Sequence, residues 1–258
     1  MELKNVRFED TRRRVLGNVP LGPSVYRLEC EGETEGRART GQFVLIFPPG
    51  DSLLLGRPFA VAERTEGSFA VWYAVSGRGT RALTGLRPGD FVRVRGPLGN
   101  PFPEPEAGTR LRVVMGAIGA APFALDAPNA EYHLGVPDGA RWGGFVNWAS
   151  RRFGERGGVL RVFSEDGGVG ERGSALSGLG EELEPGDRVW ACGPGGMLKA
   201  LALKYKNRLP QIHVSLDTKM GCGYGGCLGC AVDTAGGKKR ACADGPVFRA
   251  DEVVWDAL

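Results

Sequence analysis

The sequence predicts a multi-domain α+β fold: an amino-terminal antiparallel β-barrel, a central α/β domain and a small cysteine-rich subdomain at the carboxyl end. Three observations support this prediction. Short apolar runs separated by turn residues fill the first hundred residues, strand and helix patterns alternate after residue 104, and four of the six cysteines fall within residues 222–242. We place the predicted domains at residues 1–103, 104–213 and 214–258.

The barrel prediction rests on period-two patterns in the first hundred residues. Residues 91–95 alternate apolar and charged side chains, which is the pattern of a half-buried strand, and the turn-forming residues 87–90 precede them. Evenly spaced short strands of this kind favour an antiparallel barrel or a sandwich. The predicted strands are residues 25–30, 42–47, 59–62, 69–75 and 91–95.

Two segments within the predicted barrel have the chemistry of an anion site. Pro58 biases the residue before it toward an extended conformation, so Arg57 projects from a strand edge. Residues 77–83 form a glycine-rich turn entering a short helix, where Thr80 is placed to cap the helix and backbone N–H groups suit a phosphate. An ordinary turn or cap explains each segment taken alone. Their order and spacing within one barrel favour a shared ligand.

The middle of the chain predicts an α/β domain whose first helix is shortened. A buried strand at 111–115 runs into a loop containing Gly116 and Gly119, the place where open α/β sheets bind nucleotides. The motif is weak, because alanine occupies one expected glycine position. Residues 122–129, which include Pro128, separate this loop from a second strand at 130–136. A parallel crossover takes about a dozen residues, so we expect the helix to be cut short or absent.

Later segments complete this domain. We predict a helix at 141–153 with its aromatic residues in the core, strands at 159–163 and 188–191, and a helix at 198–206. Cys192 and Gly193 follow a strand at the carboxyl edge of the sheet. Since no histidine is close in sequence to serve as a base, we interpret Cys192 as a small residue at a nucleotide pocket. Cys30 lies within a strand and is predicted to be core.

The cysteine-rich segment is the most specific feature of the sequence. Its cysteines, spaced C-x4-C-x2-C-x11-C, are Cys222, Cys227, Cys230 and Cys242. Residues 1–5 show no secretory signal, so we expect a reducing cytosol and metal binding rather than disulfides. This spacing is that of plant-type [2Fe–2S] sites, and the intervening glycines permit the tight curl that such a site needs. Zinc and four unligated thiols remain alternatives, although structural zinc sites usually pair two short cysteine knuckles and one is present here.

Composition excludes other classes of function. The net charge of +3 is spread without a basic run, which gives nucleic-acid binding no support. No apolar run approaches the roughly eighteen residues of a membrane helix. The two histidines, His133 and His213, argue against a histidine-based metal site. We expect a soluble, cytoplasmic protein.

The order of several short motifs along the chain is specific to one protein family. The motifs are residues 57–60 (RPFA), 77–80 (GRGT), 96–102 (GPLGNPF), 115–122 (MGAIGAAP), 192–197 (CGPGGM) and the cysteine tail. Over nearly the whole chain they resemble the electron-transfer subunits of type B dihydroorotate dehydrogenase, within the ferredoxin reductase-like superfamily. The resemblance implies FAD on the barrel, NAD on the α/β domain, and a [2Fe–2S] cluster facing a partner subunit that holds FMN and dihydroorotate. It implies an electron relay from the partner through the cluster and FAD to NAD+ in pyrimidine biosynthesis, in a heterotetramer with two copies of each subunit.

Carried over residue by residue, the resemblance assigns the four tail cysteines as cluster ligands. It assigns cofactor contacts to Arg57, Pro58, Phe59, Ala60, Trp72, Tyr73, Ala74, Gly79 and Thr80 on the FAD side, and to Gly116, Gly119, Cys192 and Gly193 on the NAD side.

Three departures from the family pattern modify this expectation. Ala60 stands where the family has a serine that can bond the flavin ring, and Ala74 stands where a basic residue is common. Because both changes remove polar contacts, we expect an altered affinity for FAD or an altered flavin potential. The third departure is the loop at residues 115–119, which has fewer glycines than the family pattern and is followed by a shortened helix. It predicts weak or altered NAD(H) use.

Two other functions remain alternatives to the electron-transfer subunit. One is a related iron–sulfur flavoprotein reductase serving ferredoxin or a hydrogenase, and the other is a zinc-stapled binding module without redox function.

Overall fold

The structure is a computed structural model that describes residues 10–32, 38–50, 53–126, 129–155 and 157–257. The predictions that concern residues 1–5 and Pro128 lie outside these ranges. The predicted fold class is confirmed: a closed six-stranded antiparallel barrel is followed by a seven-stranded mixed sheet and a cysteine-rich segment. None of the described helices is long and apolar enough to span a membrane.

The barrel has the strand order β1-β2-β5-β4-β3-β6, and all five predicted strands are present. Its first strand, β1, was not predicted, because three consecutive arginines and later glycine and proline residues break the alternation. Antiparallel pairing of β1 with both β2 and β6 closes the barrel. The strands are β1 Thr11–Gly22, β2 Val25–Glu31, β3 Phe43–Phe47, β4 Arg57–Thr65, β5 Ser68–Ala74 and β6 Phe91–Leu98, with helix α1 Arg78–Leu83 between the last two.

The mixed sheet has the order β10-β9-β8-β7-β11-β12-β15, in which only β15 is antiparallel to its neighbour. Its strands are β7 Arg110–Gly116, β8 Glu131–Val136, β9 Val159–Ser164, β10 Glu171–Arg172, β11 Asp187–Cys192, β12 Ile212–Ser215 and β15 Val247–Arg249. The helix after β7 is replaced by a 3₁₀ helix, Ala117–Ala124, which contains Pro122. This confirms the expected shortening.

Two helices flank the sheet. Helix α2, Gly139–Gly154, begins after Asp138, whose carboxylate accepts a hydrogen bond from the Arg141 N–H at 2.7 Å. Its aromatic residues Trp142, Phe145 and Phe153 are buried, as predicted. Helix α3, Gly195–Lys204, begins three residues before the predicted start, directly after its N-cap Pro194. It ends two residues before the predicted end, at the C-cap Tyr205.

The cysteine-rich segment is tied to both larger units. Strands β13 Ala231–Thr234 and β14 Gly237–Arg240 form a hairpin between the third and fourth cysteines, and β15 then joins the mixed sheet beside β12. Strand β12 itself runs across the predicted boundary between residues 213 and 214. The predicted domain limits therefore remain a prediction. Strands β12 and β15 connect the mixed sheet with the cysteine-rich segment.

Candidate cluster and cofactor sites

The four tail cysteines lie in two pairs. The Sγ atoms of Cys230 and Cys242 are 3.2 Å apart, and the Cys222 thiol is hydrogen-bonded by both the backbone N–H and the side chain of Cys227. A structural zinc ion needs four donors around one centre, whereas a [2Fe–2S] cluster divides its four ligands between two irons. Two cysteine pairs fit the second arrangement.

Backbone N–H groups point at the sulfur atoms. Gly225 donates to Cys242 Sγ at 3.1 Å, Cys227 donates to Cys222 Sγ at 3.4 Å, and Cys242 donates to Cys230 Sγ at 3.5 Å. Burial acts to raise the pKa of the Cys222 thiol, but N–H donors, Tyr224 first among them, outweigh it and lower that pKa to about 6. A loop that stabilises sulfur anions in this way suits thiolate ligands.

Positive φ angles create this loop. Gly223 has φ +80°, Gly225 has φ +87°, and the non-glycine Leu228 has φ +57°. The glycines adopt such angles without steric cost, which turns successive N–H groups inward, whereas Leu228 is held there at some cost. The prediction that the glycines between the cysteines permit a tight curl is confirmed at these positions.

The loop docks directly on the barrel. A Cβ atom at Gly223 would lie 2.6 Å from Leu45 Cδ1 and 2.9 Å from Leu98 Cδ1, so the backbone there touches β3 and β6. Arg95 of β6 donates to the backbone carbonyl of Cys222 at 2.6 Å. Its guanidinium is also paired with Asp10 at 2.5 Å. Sequence analysis did not identify Arg95, since a residue 127 positions from its partner carries no local signal.

Part of the predicted flavin site, residues 57–60, forms a half-buried strip on the barrel. Residues 57–60 are all half-buried, although an ordinary half-buried strand alternates buried and exposed residues. The Arg57 guanidinium lies against Gly79, where a Cβ atom would come within 2.4 Å of Arg57 Nε. Because β4 and β5 are antiparallel, the half-buried Ala74 at the end of β5 lies near the start of β4. A cation, an apolar strip and an exposed glycine backbone at Gly77 together fit a flavin with its phosphates.

The expected cap at the start of α1 needs a correction. The N-cap is Gly77, with φ −163°, and Thr80 lies inside the helix at its third position. The Thr80 hydroxyl accepts hydrogen bonds from the backbone N–H groups of Ser76 at 3.0 Å and Gly77 at 3.1 Å. It therefore closes the turn from inside the helix, and Thr80 itself is buried.

Trp72 and Tyr73 point to opposite sides of β5, and each is only 1% exposed. The Trp72 indole donates to Glu63 at 2.7 Å and packs edge-on against Phe145 of α2. The Tyr73 hydroxyl donates to Asn18 at 3.1 Å from within the barrel core. Their assignment to the flavin stays a prediction, and in this arrangement neither ring offers an open face to a ligand.

The predicted nucleotide residues meet where β7 and β11 end side by side. A Cβ atom at Gly116 would lie 2.5 Å from Pro194 Cδ, and one at Gly119 would lie 2.2 Å from the Cys192 carbonyl oxygen. A Cβ atom at Gly193 would lie 2.9 Å from the Gly116 backbone, so small residues are required at this crossing. Burial raises the pKa of the half-buried Cys192 thiol to about 12, which agrees with its interpretation as a space-filling residue.

Ala117 stands at the expected glycine position of this loop with φ +48°, a left-handed conformation that an L-alanine adopts at a steric cost. The same segment then continues as a 3₁₀ helix rather than as an α-helix, so the usual helix N-terminus for a cofactor pyrophosphate is replaced.

Comparison with known proteins agrees with this geometry. Residues 217–254 match the family model described as the iron-sulfur cluster binding domain of dihydroorotate dehydrogenase B. The chain is 35% identical to a Caldanaerobacter subterraneus protein named dihydroorotate dehydrogenase B (NAD(+)), electron transfer subunit, over 95% of this chain and 98% of that one. A Clostridium acetobutylicum protein of the same name is 30% identical over 95% and 97% of the two chains. The chain belongs to this family of electron transfer subunits.

Solved structures extend the similarity beyond these electron transfer subunits. A chain from the structure of an NADH-dependent reduced ferredoxin-NADP oxidoreductase is 30% identical, with a TM-score of 0.78, and the match covers 95% of this chain and 90% of that chain. Phthalate dioxygenase reductase matches with a TM-score of 0.65 at 13% identity, covering 88% and 87% of the two chains. The second similarity supports the fold alone, and it agrees with the predicted ferredoxin reductase-like architecture.

Proposed function

We propose that this chain is the electron transfer subunit of an NAD+-dependent dihydroorotate dehydrogenase in pyrimidine biosynthesis. One observation carries the proposal: a loop with two pairs of cysteine thiols, in the segment that matches the family's cluster-binding domain, is docked on a barrel that presents a flavin-sized strip. When bound, the [2Fe–2S] cluster would supply one-electron chemistry and FAD two-electron chemistry, which is what a transfer of electrons from a catalytic partner subunit to NAD+ as a hydride needs.

The chain's own residues would hold and tune these groups. Cys222, Cys227, Cys230 and Cys242 would bind the cluster. Backbone N–H groups are aimed at three of their sulfur atoms, and at Cys222 they lower the pKa of the thiol and favour the thiolate form. Residues 57–60, with Gly79 and Thr80, would hold the flavin and its phosphates. Leu45 packs against Gly223, and Phe47 belongs to the same buried apolar cluster as Cys230 and Cys242, so apolar side chains would separate the two sites from solvent.

NAD(H) use is proposed to be weak or altered. The strained Ala117 and the 3₁₀ helix that follows support this part of the proposal, since both alter the backbone on which a pyrophosphate would rest. Ala60 offers the flavin ring no hydroxyl and Ala74 offers no cation, so the flavin would depend on Arg57 and on apolar contacts.

The name of the curated relatives, electron transfer subunit, implies a separate catalytic subunit of dihydroorotate dehydrogenase. We propose that this partner contains FMN and that two copies of each subunit assemble. A cytoplasmic location is proposed because four closely spaced thiolates need a reducing compartment to remain available as ligands.

The test is an anaerobic titration of the purified complex, first with dihydroorotate and then with NAD+. We expect dihydroorotate to bleach the flavin and cluster absorbance, and NAD+ to restore the absorbance slowly. The Cys230→Ser variant should lose the cluster absorbance, and dihydroorotate should no longer bleach its FAD. The Cys30→Ser variant, changed in the barrel core, should keep both properties. A colourless complex without iron or flavin would refute the proposal.

A second candidate comes from the 30% identity to the ferredoxin-NADP oxidoreductase chain. In that case the chain would exchange electrons with ferredoxin rather than with a dihydroorotate-oxidising subunit. Rapid reduction of the isolated chain by reduced ferredoxin, together with no bleaching by dihydroorotate in any complex, would favour this candidate. A zinc-stapled module would show no visible absorbance in either experiment.

A further inference from the structure

An apolar groove of about 470 Å³ lies on the barrel where β3 ends beside β6. Phe47, Pro48, Leu54 and Phe91 contribute its apolar lining. Leu54 is 78% exposed and Phe91 is 45% exposed. Isolated exposed apolar residues are common on protein surfaces, but a concave group of them with a polar rim is typical of an interaction site.

The groove is continuous with the cysteine loop. Phe47 lines the groove and also packs in the same buried apolar cluster as Cys230 and Cys242. The Arg95 guanidinium lies 5.3 Å from the Phe47 ring and 5.7 Å from the Tyr224 ring, and it therefore joins the groove to the loop. These contacts place the groove and the loop on one face of the molecule.

The loop end of this face is itself exposed and apolar. Leu228 is 63% exposed, Tyr224 is 45% exposed, and Cys227 is the exposed member of the four predicted cluster ligands. A positive φ angle holds Leu228 in place, so its side chain is presented by a constrained backbone. A partner that exchanges electrons through Cys227 would cover this end.

We propose that the groove extends the docking surface for the catalytic partner subunit from the cysteine loop onto the barrel, with apolar side chains of the partner seated in the groove. This inference rests on the proposed function. A stable interface takes about 800 Å² from each partner, which is more than one short loop offers, so the contact must extend onto neighbouring surface. The groove is the adjoining apolar surface.

The rim of the groove indicates the chemistry of the partner's edge. Arg93 lies 4.0 Å above the Phe47 ring, and its side chain is 53% exposed. Asp10 approaches Arg93 at 3.4 Å but is held at 2.5 Å by Arg95, so Arg93 keeps most of its charge available to a partner. An apolar core surrounded by a charged rim is the usual anatomy of such interfaces, and an acidic rim on the partner complements Arg93.

The experiment measures the affinity of the full-length, cofactor-loaded chain for the catalytic subunit by titration calorimetry. Leu54→Glu and, as a second variant, Phe91→Glu place a carboxylate in the groove. Leu203→Glu, at a 63% exposed leucine on α3, is the matched control on a different surface. We expect each groove variant to weaken the complex at least ten-fold with unchanged iron and FAD content, and the control to bind like the wild type.

The outcomes separate the inference from the function it rests on. If the wild-type chain forms no complex with the catalytic subunit, the proposed function fails and the inference fails with it. If the wild-type complex forms and both groove variants bind with unchanged affinity, the groove inference alone is overturned. It is also overturned if the groove variants change only the mass of the isolated chain in sedimentation, because the groove then binds a second copy. A lower thermal stability with unchanged affinity overturns it too, because the groove then packs against this chain's own residues.

Discussion

Substituting Gly223 by alanine tests whether the cysteine loop depends on its contact with the barrel. Alanine pays about 1–2 kcal/mol for the left-handed conformation that φ +80° imposes. Its Cβ would also lie 2.6 Å from Leu45 Cδ1, and both Leu45 and Leu98 are buried in packed surroundings. Overpacking of this kind costs a further ~1–3 kcal/mol. We therefore expect a total destabilisation of about 2–5 kcal/mol, centred on the loop.

Gly237 provides the matched control for this variant. It has φ +98° in the β13–β14 hairpin, but a Cβ there would meet no atom within 4 Å. Gly237→Ala therefore carries the conformational cost without the steric one, and the two variants should differ by about 1–3 kcal/mol.

The assay follows the iron content and the temperature at which the visible absorbance bleaches. For a chain of this length each kcal/mol corresponds to roughly 2–4 °C, so the midpoint of the Gly223→Ala variant should lie several degrees below that of Gly237→Ala. Equal midpoints and equal iron content would refute the argument, since the loop would then tolerate displacement from Leu45.

Three further predictions test separate features. Cys222→Ser should abolish stoichiometric iron binding, whereas Cys30→Ser should not, since Cys30 is buried in the barrel core; iron and sulfide analysis measures both. Ala117→Gly should raise the free energy of unfolding by about 0.5–1 kcal/mol, because the relief of left-handed strain exceeds the unfolded-state entropy that glycine adds; an unchanged or lower unfolding midpoint would contradict this. Burial lowers the pKa of His133, so folding favours its neutral form; that contribution is complete above about pH 6.5 and is lost as the pH falls below it. His133→Gln should therefore flatten the loss of stability between pH 7.5 and 5, and an unchanged pH profile would count against burial as the cause.

Local patterns in the sequence predicted most of the fold, and long-range contacts account for what they missed. The alternation in residues 91–95 predicted β6, because one face of that strand is buried. Strand β1 escaped prediction because arginines occupy both of its faces near the start, with Arg12 and Arg14 exposed and Arg13 half-buried. Pairing at both edges, rather than its own pattern, makes it a strand. The spacing of the four tail cysteines predicted that they act together as cluster ligands. It did not predict their division into two pairs, which depends on the hairpin between Cys230 and Cys242.

Side-chain roles were harder to predict than elements. Thr80 was expected to cap α1 because threonine is a common cap, yet Gly77 takes that position and the hydroxyl closes the turn from the third helical residue. Trp72 was expected at the flavin, and that assignment stays a prediction; its indole is buried against Glu63, a residue nine positions away on the neighbouring strand. Both outcomes depend on which neighbours the fold supplies, and the sequence around each residue carries no record of them.

The position of the cysteine loop is fixed from two directions. Arg95 and the close contact at Gly223 hold its start on the barrel, while β15, five residues after Cys242, pairs with β12 in the mixed sheet. Between them, the Asn100 N–H donates to the Gly245 carbonyl at 2.6 Å, which joins the end of the barrel to the end of the loop. Because the loop is anchored to both units, a movement of the barrel relative to the sheet would have to break contacts at one end of it. The separation between the thiols and the flavin strip is therefore set by packing rather than by a linker. This arrangement suits a relay in which electrons cross a constant gap within the chain.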